Sequence, residues 1–334
     1  MKRVAIVGAT GAVGQEFCAV LRQRRFPADA YKLLASKRSS GQTIAGVHGP
    51  AVVEELTPRS FVGVDLALFS AGGAVSREFA PLAVKAGALV IDNSSAFRMD
   101  PDVPLVVPEI NPEAARRHHG IIANPNCSTI IMALALWPLH CACRIRRVVV
   151  STYQAVSGAG ARALAELEAQ SREVLAGRPA RPEVFHVPCA FNVFSHNSPL
   201  GPDGYNLEET KMVVETRKIF SDPSIQIAPT CMRVPVLRAH TESLSIEFSA
   251  PLTEDQARAA LAAAPGVRIL DDRANNRFPM PLDVTGRDEV LVGRIRHDPS
   301  VPDHRGLQLI CAGDQLRKGA ALNAVQIAEL LLEN

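Results

Sequence analysis

A chain of 334 residues, 47% apolar and 21% charged, has the length of about two domains and the make-up of an ordinary globular protein. Its 36 Lys and Arg against 34 Asp and Glu leave a formal charge of +2, which excludes a global attraction to nucleic acid or to an acidic membrane and leaves room only for local small-anion sites. No apolar run approaches the ~18 residues of a membrane span, and the run after Met1-Lys2-Arg3 is too short for a secretory leader and reads as a strand. The seven cysteines are odd in number and lack a paired framework, so free thiols in a reducing cytoplasm are expected. Cys141 and Cys143 have no second pair at ligand spacing, so no zinc or other metal site is expected.

In chain order, residues 4–7 form a short buried-strand pattern, followed by a glycine loop and a helix over 12–23 with Val13, Phe17, Val20 and Leu21 at helical spacing. Further strands are expected at 31–35, 66–70, 88–92, 105–107 and 121–123. Strands separated by helices imply βαβ units and a mainly parallel sheet. The texture then changes. A β-branched run covers 147–154, an Ala-, Leu- and Glu-rich helix covers 159–176, and a polar stretch rich in Pro and Asn runs over 178–206. Strands follow at 232–236, 242–249, 267–270, 290–295 and 307–312. Thr253-Glu254-Asp255 opens a helix to about residue 264. A last helix spans 316–332 and is free to pack on either domain. There is no internal repeat.

The loop Gly8-Ala9-Thr10-Gly11-Ala12-Val13-Gly14 joins strand to helix, the setting of a dinucleotide site. Small residues let the backbone approach a pyrophosphate, and a helix N-terminus favours its charge. The spacing is G-x-x-G-x-x-G, so a plain tight turn is the alternative. The second expected strand ends in Ser36-Lys37-Arg38-Ser39. An NAD site usually carries an acid there for the ribose 2′-hydroxyl. Hydroxyls and a cation at Ser36, Arg38 and Ser39 suit a 2′-phosphate, so NADP is expected over NAD; a solvated basic loop is the alternative. The run Asn124-Pro125-Asn126-Cys127-Ser128-Thr129 places Cys127 at the start of an apolar helix. The helix dipole and unpaired N–H groups favour its thiolate, and the same groups with Asn126 suit an oxyanion. The alternative is a small buried apolar residue, the expectation for the other six cysteines.

These segments together resemble bacterial aspartate-β-semialdehyde dehydrogenases. The match includes GATGAVG at 8–14, SSAFR at 94–98, NPNCSTI at 124–130, YQAVSGAG at 153–160, EETK at 208–211, RVPVLRAHTES at 233–243 and LRKGAALNAVQIAELL at 316–331. The related N-acetylglutamyl-phosphate reductases usually have Cys-Tyr-Pro, and the phosphorylating glyceraldehyde dehydrogenases Ser-Cys-Thr-Thr, where this chain has Cys127-Ser128-Thr129. The resemblance implies an α/β fold: a Rossmann-type domain over 1–126 and 315–334, and an α+β catalytic and dimerisation domain with a mixed sheet over 127–314. It implies a homodimer that acts on β-aspartyl phosphate, aspartate semialdehyde and phosphate in the biosynthesis of Lys, Met, Thr and Ile.

The roles it implies fit the residue types. Cys127 would form the thioester. His240 would serve as acid and base through a neutral imidazole, with Gln154 orienting it or the thioester. Arg233 would grip the α-carboxylate, Glu208 the ammonium, and Arg98 and Lys211 the phosphate, with Asn126 assisting. Ser157, Gly158 and Gln315 would lie near the cofactor. Each also has a plainer alternative: Glu208 and Lys211 as a helix-surface ion pair, Arg98 and Arg233 in structural salt bridges, His240 as a hydrogen-bonded core residue. Ser195-His196-Asn197-Ser198 departs from the family's Pro-His-Ile-Asp, and the other histidines, His196 included, have no assigned role. An enzyme for a longer acyl phosphate and a non-catalytic nucleotide-binding paralogue are the competing functions. Retention of Cys127, Gln154, Arg233 and His240 argues against the paralogue.

Overall fold

The structure, a computed structural model, describes residues 3–332; Met1 and Lys2, ahead of the first expected strand, lie outside the described residues. The chain forms two compact units. The first runs to Asn126 and takes in the chain again from Gly319, and the second is Cys127–Lys318.

The first unit contains β1 (Arg3–Val7), α1 (Ala12–Gln23), β2 (Ala30–Ala35), the hairpin β3 (Thr43–Gly46) and β4 (Gly49–Val52), β5 (Glu54–Glu55), β6 (Leu66–Phe69), α2 (Gly73–Lys85), β7 (Leu89–Asp92) and β8 (Ile121–Ala123). Its six-stranded sheet has the order β5-β2-β1-β6-β7-β8 and every pairing is parallel. Side chains of a strand alternate between faces. Accordingly Val4 and Ile6 pack with Phe17 and Leu21 of α1, while Ala5 and Val7 join Ala80 and Ala83 of α2 on the other side. Strand order reverses beside β1, and the glycine loop follows β1 at that point, where open α/β sheets form their ligand crevice. Gly8 has φ +86°, and a Cβ there would meet the Ser70 carbonyl oxygen at 2.3 Å; one on Gly14 would meet the Gly8 oxygen at 2.2 Å. Neither position has room for a side chain.

Residues 105–107, expected as a strand, make only a single bridge, Leu105 to Ala123. The Asn111 side chain accepts from the Val107 N–H and donates to the Leu105 carbonyl, both at 2.9 Å. Those two groups are thereby withdrawn from a ladder.

The second unit begins with α3 (Cys127–Ala142), followed by β9 (Ile145–Gln154), α4 (Ala161–Leu175), β10 (Phe194–Ser195), α5 (Leu207–Phe220), β11 (Gln226–Arg233) and β12 (His240–Phe248). Then come α6 (Glu254–Ala262), β13 (Val267–Ile269), the short turn of helix α7 (Pro281–Val284), β14 (Val290–His297) and β15 (Gly306–Gly313). The sheet order is β10-β11-β9-β12-β15-β14-β13. The β9–β11 and β13–β14 pairings are parallel and the others antiparallel, which makes a mixed sheet. The strand expected at 232–236 instead ends at Arg233. Pro235 stops it, while Pro229 is tolerated inside because β10 reaches only Met232 and Arg233 and leaves that edge free.

After β15, residues 315–318 group with the second unit, because Gln315 bonds Ser157 and Ala239 and Arg317 bonds Asp288. The expected 316–332 helix is a π-helical turn, Arg317–Ala321, leading into α8 (Leu322–Leu330). The apolar side of α8 joins Val4, Ile6 and α1 in the core of the first unit.

Candidate active site

Strand register brings together the candidate site residues of the second unit. Arg233 pairs directly with Gln154 at the ends of β11 and β9. On the other side of β9, Thr241 pairs with Tyr153 and His240 with Gly313 of β15. Arg233, Gln154 and His240 therefore close three adjacent strands on the same covered face, and all three are buried. Cys127 opens α3, a helix with an apolar interior from Ile130 to Leu136. Its sulfur lies 3.6 Å from Nε2 of His240.

His240 is fully buried and follows Ala239, which has a φ of +76°. That left-handed conformation is uncommon for alanine and is held by the Ala239 N–H donating to Oε1 of Gln315 at 2.7 Å. The Ala155 N–H donates to Nδ1 of His240 at 3.0 Å. A backbone N–H can only donate, so Nδ1 must accept and the proton of the neutral ring sits on Nε2. His240 thus presents a donor to the sulfur, the acid half of the acid and base role that the sequence led us to expect. Burial, with the nearby charge of Arg233 added, pushes His240 down to about 3, so the ring is neutral across the physiological range.

Gln154 is held by its neighbours. Its Oε1 accepts from the Thr152 hydroxyl at 3.1 Å and its Nε2 donates to Oε1 of Glu208 at 3.1 Å. Its amide thus orients Glu208, a task the sequence did not suggest. The other Glu208 oxygen pairs with Lys211 Nζ at 3.2 Å, with the carboxylate only 6% exposed. In this pair Glu208 is buried while Lys211 is partly exposed, so it lies at the edge of the interior. Arg233 is 2% exposed, and its hydrogen bonds among the described residues run to no carboxylate, although Glu208 is near enough to act on its charge. Its Nη1 donates to the Ala155 carbonyl at 2.7 Å, and its Nη2 faces Nε2 of His196 at 2.8 Å and Oδ1 of Asn197 at 3.3 Å. Its Nε has no hydrogen-bond partner among the described residues. The plainer alternative, a structural salt bridge, is therefore not seen for Arg233 among the described residues.

Ser157 and Gly158 belong to the turn after β9. The Gln315 amide donates to the Ser157 hydroxyl, so both ends of that amide are engaged inside the unit. A Cβ on Gly158 would meet Arg233 Nη1 at 3.2 Å and His240 Cε1 at 3.4 Å; the bare backbone lies against the two site residues. Sequence reasoning missed Glu242, two residues beyond His240 on the same face. It is fully buried, burial holds its carboxyl well above the usual range, and Oε1 has no partner among the described residues. The only signal was the alternation of His240-Thr241-Glu242.

In the first unit, Arg98 is buried, with Nε donating to the Asn124 carbonyl at 2.9 Å and Nη2 to the Asn93 carbonyl at 2.7 Å. Asn126 is buried as well. The glycine loop fits a dinucleotide. Gly11 is the N-cap of α1, no side chain caps that end, and no acid lies in its first turn. The Ala12, Val13 and Gly14 N–H groups are thereby left for a phosphate, and Thr10 lies in the same turn. Beyond β2, Ser36 precedes a 3-10 turn over Lys37–Ser39, with Ser36, Lys37 and Arg38 exposed. The structure also brings an acidic pair beside the end of β2, since Leu34 pairs with Glu54 and Ala35 with Glu55. Glu54 is tied to Lys32 at 3.3 Å.

A parallel dinucleotide-type sheet in one unit and, in the other, a cysteine facing a neutral histidine are the parts expected of a nicotinamide-dependent oxidoreductase. The profile for "Semialdehyde dehydrogenase, NAD binding domain" matches residues 3–118, and that for "Semialdehyde dehydrogenase, dimerisation domain" matches residues 136–318. The chain belongs to the semialdehyde dehydrogenase family. It is 56% identical to the aspartate-semialdehyde dehydrogenase of Synechocystis over 331 residues, covering 99% of this chain and 97% of that one. It is 47% identical to the Bacillus subtilis enzyme of the same name, covering 98% and 96%. Among solved structures, aspartate semialdehyde dehydrogenase II of Vibrio cholerae complexed with ASA superposes with a TM-score of 0.96, at 46% identity and over 100% and 99% of the two chains.

The hydrogen-bond geometry predicts that His240 keeps one proton, on Nε2, as pH falls from neutral toward 5. Its pKa is lowered, so the charged form gains only as pH nears about 3. Nitrogen NMR of histidine-labelled protein, assigned with a His240→Gln variant, reads this directly. A His240 titration near the ordinary pKa of about 6.5 would contradict it.

Proposed function

We propose that this protein catalyses the NADP-dependent interconversion of β-aspartyl phosphate with aspartate β-semialdehyde and phosphate, in the biosynthesis of Lys, Met, Thr and Ile. The observation that carries this reading is the Cys127–His240 contact, on the same sheet face as a buried arginine whose hydrogen bonds run to no carboxylate and a buried carboxylate at the start of α5. The free thiols support a cytoplasmic enzyme, and the match to a dimerisation domain supports a homodimer.

In the reductive direction Cys127 Sγ attacks the acyl carbon of β-aspartyl phosphate. The carbon–oxygen bond to phosphate breaks, phosphate leaves, and a thioester remains on Cys127. Reduction of this thioester needs a hydride, which a nicotinamide held by the glycine loop would supply. The tetrahedral oxyanion then collapses, the carbon–sulfur bond breaks, and the semialdehyde departs; the proton consumed overall ends on phosphate. Through these steps His240 holds its Nε2–H as a donor toward the sulfur and the developing oxyanion. Arg233 takes the substrate α-carboxylate through its planar fork, and Glu208, oriented by Gln154, takes the ammonium. Arg98 and Lys211 take the phosphate, with Asn126 assisting. Ser157, Gly158 and Gln315 shape the wall near the nicotinamide. Gly8, Thr10, Gly11, Ala12, Val13 and Gly14 would hold the pyrophosphate, and Ser36, Arg38 and Ser39 would hold the 2′-phosphate.

The substrate assignment is tested by phosphate-dependent NADP reduction with each ligand varied in turn. Cys127→Ala is expected to remove turnover and keep NADP binding. Arg233→Ala is expected to weaken use of the semialdehyde, and Lys211→Ala mainly that of phosphate. An N-acetylated five-carbon semialdehyde would leave Glu208 unpaired, and a buried unpaired charge costs several kcal/mol, so discrimination of about a thousandfold is expected. Preference for that substrate would overturn the assignment.

The cofactor assignment is tested at Arg38. Its replacement by Ala removes a charge-assisted bond worth roughly 1.5–3 kcal/mol, so the NADP KM should rise about 10- to 150-fold while that for NAD barely changes. Equal use of NAD and NADP by the unaltered enzyme would refute it.

A further inference from the structure

The loop after β10 departs from the family pattern, and the structure shows what it does with its histidine. The His196 N–H donates to the Cys231 carbonyl at 2.8 Å, which anchors the residue on β11 two positions before Arg233. Its ring then meets donors at both nitrogens. Nε2 lies 2.8 Å from Arg233 Nη2, and the Ser198 N–H points at Nδ1 from 3.2 Å. Both groups can only donate, and a neutral ring has a single acceptor nitrogen, so it can take one of them and not both. A doubly protonated ring could take neither and would set N–H against N–H at Arg233, so His196 is neutral. Burial pushes it down to about 4; the charges of Arg233 and Lys211 act in the same sense and Glu208 opposes them. The Arg233 contact is the shorter and is charge-assisted, so Nε2 accepts it. Nδ1–H then donates to the Ser198 hydroxyl, 3.1 Å away.

The Ser198 hydroxyl continues the chain. It also accepts from the Glu208 N–H at 3.1 Å and donates to Oδ1 of Asn206 at 3.3 Å, which uses its one proton and both lone pairs. Asn206 is the N-cap of α5, accepting from the Glu209 N–H at 3.0 Å in a reciprocal capping box. One line of hydrogen bonds therefore runs from the Arg233 guanidinium through His196 and Ser198 to the first turn of α5, which carries Glu208. The two charged groups come from elements far apart in sequence, β11 and α5. The loop ties them together.

We propose that His196 is a positioning residue that sets the spacing between Arg233 and Glu208, and thereby the affinity for a substrate with a carboxylate and an ammonium on one carbon. The inference rests on the reading of Arg233 and Glu208 as the contacts for those two ends.

The test is steady-state kinetics in the oxidative direction, with semialdehyde, phosphate and NADP varied separately, alongside thermal unfolding of each variant. His196→Ala should raise the semialdehyde KM about tenfold or more and leave the other two KM values unchanged. His196→Gln, whose carbonyl reaches the position of Nε2, should restore most of the loss. His196→Asn reaches only the Ser198 side and should not. A semialdehyde KM within about twofold of the unaltered enzyme in His196→Ala overturns the proposal. So does an equal rise in all three KM values with a lowered Tm, and so does better rescue by Asn than by Gln. Arg233→Ala in the same series separates the two levels. If it raises the semialdehyde KM and His196→Ala does not, only the role of His196 falls. If Arg233→Ala leaves that KM unchanged, the pocket reading falls and this inference with it.

Discussion

The buried charge of Arg233 is the constraint around which the second unit is arranged. Taking a guanidinium out of water without an anion costs on the order of several kcal/mol. Here its hydrogen bonds run to a carbonyl, an imidazole and an amide, all neutral, and its guanidinium carbon lies 5.6 Å from the centre of the Phe185 ring. The buried carboxylate of Glu208 is committed to Gln154 and Lys211. The deficit is one that a ligand carboxylate would remove, and a group held so firmly loses little freedom when it does. The same charge adds to burial in keeping His196 and His240 neutral.

Backbone groups fix what the side chains do. The Ala155 N–H assigns the proton of His240, and the Ala155 carbonyl holds Arg233, so the backbone of one residue just after β9 governs both. A histidine locked as an Nε2 donor suits a reaction in which the thiol sulfur and a carbonyl oxygen each carry negative charge in turn. The glycine loop works by the same logic in the first unit. Gly8 and Gly14 leave no space for side chains, and the uncapped end of α1 presents N–H groups. In both units the polar contacts that matter come from main chain held rigidly by parallel or mixed sheet.

Much of this was legible in the sequence where pattern is local. Glycines at strand end and helix start marked α1 to the residue, Ala12–Gln23, because periodicity and loop chemistry agree there. The semialdehyde dehydrogenase resemblance and the α/β fold followed from motifs whose spacing is short. Features set by tertiary pairing were not legible. The strand expected at 232–236 lies instead at Gln226–Arg233, with Pro229 inside it, which is tolerated because β10 pairs only with Met232 and Arg233. Residues 105–107 look β-branched and apolar, but the Asn111 side chain takes their ladder groups. His196 and Ser198 read as loop residues, since their partners lie on β11 and α5. The proton position on His240 depends on one backbone N–H from another strand, which no single-sequence pattern encodes.

The central claim is that Cys127 carries the substrate as a thioester. It is tested most directly by mixing enzyme with NADP and aspartate semialdehyde in the absence of phosphate, and following NADPH on the millisecond scale with mass spectrometry of the quenched protein. The account predicts a burst of NADPH stoichiometric with subunits, and an aspartyl adduct on the peptide that contains Cys127. NADPH formation without a burst and without an adduct on Cys127, in an enzyme that turns over once phosphate is added, would contradict it.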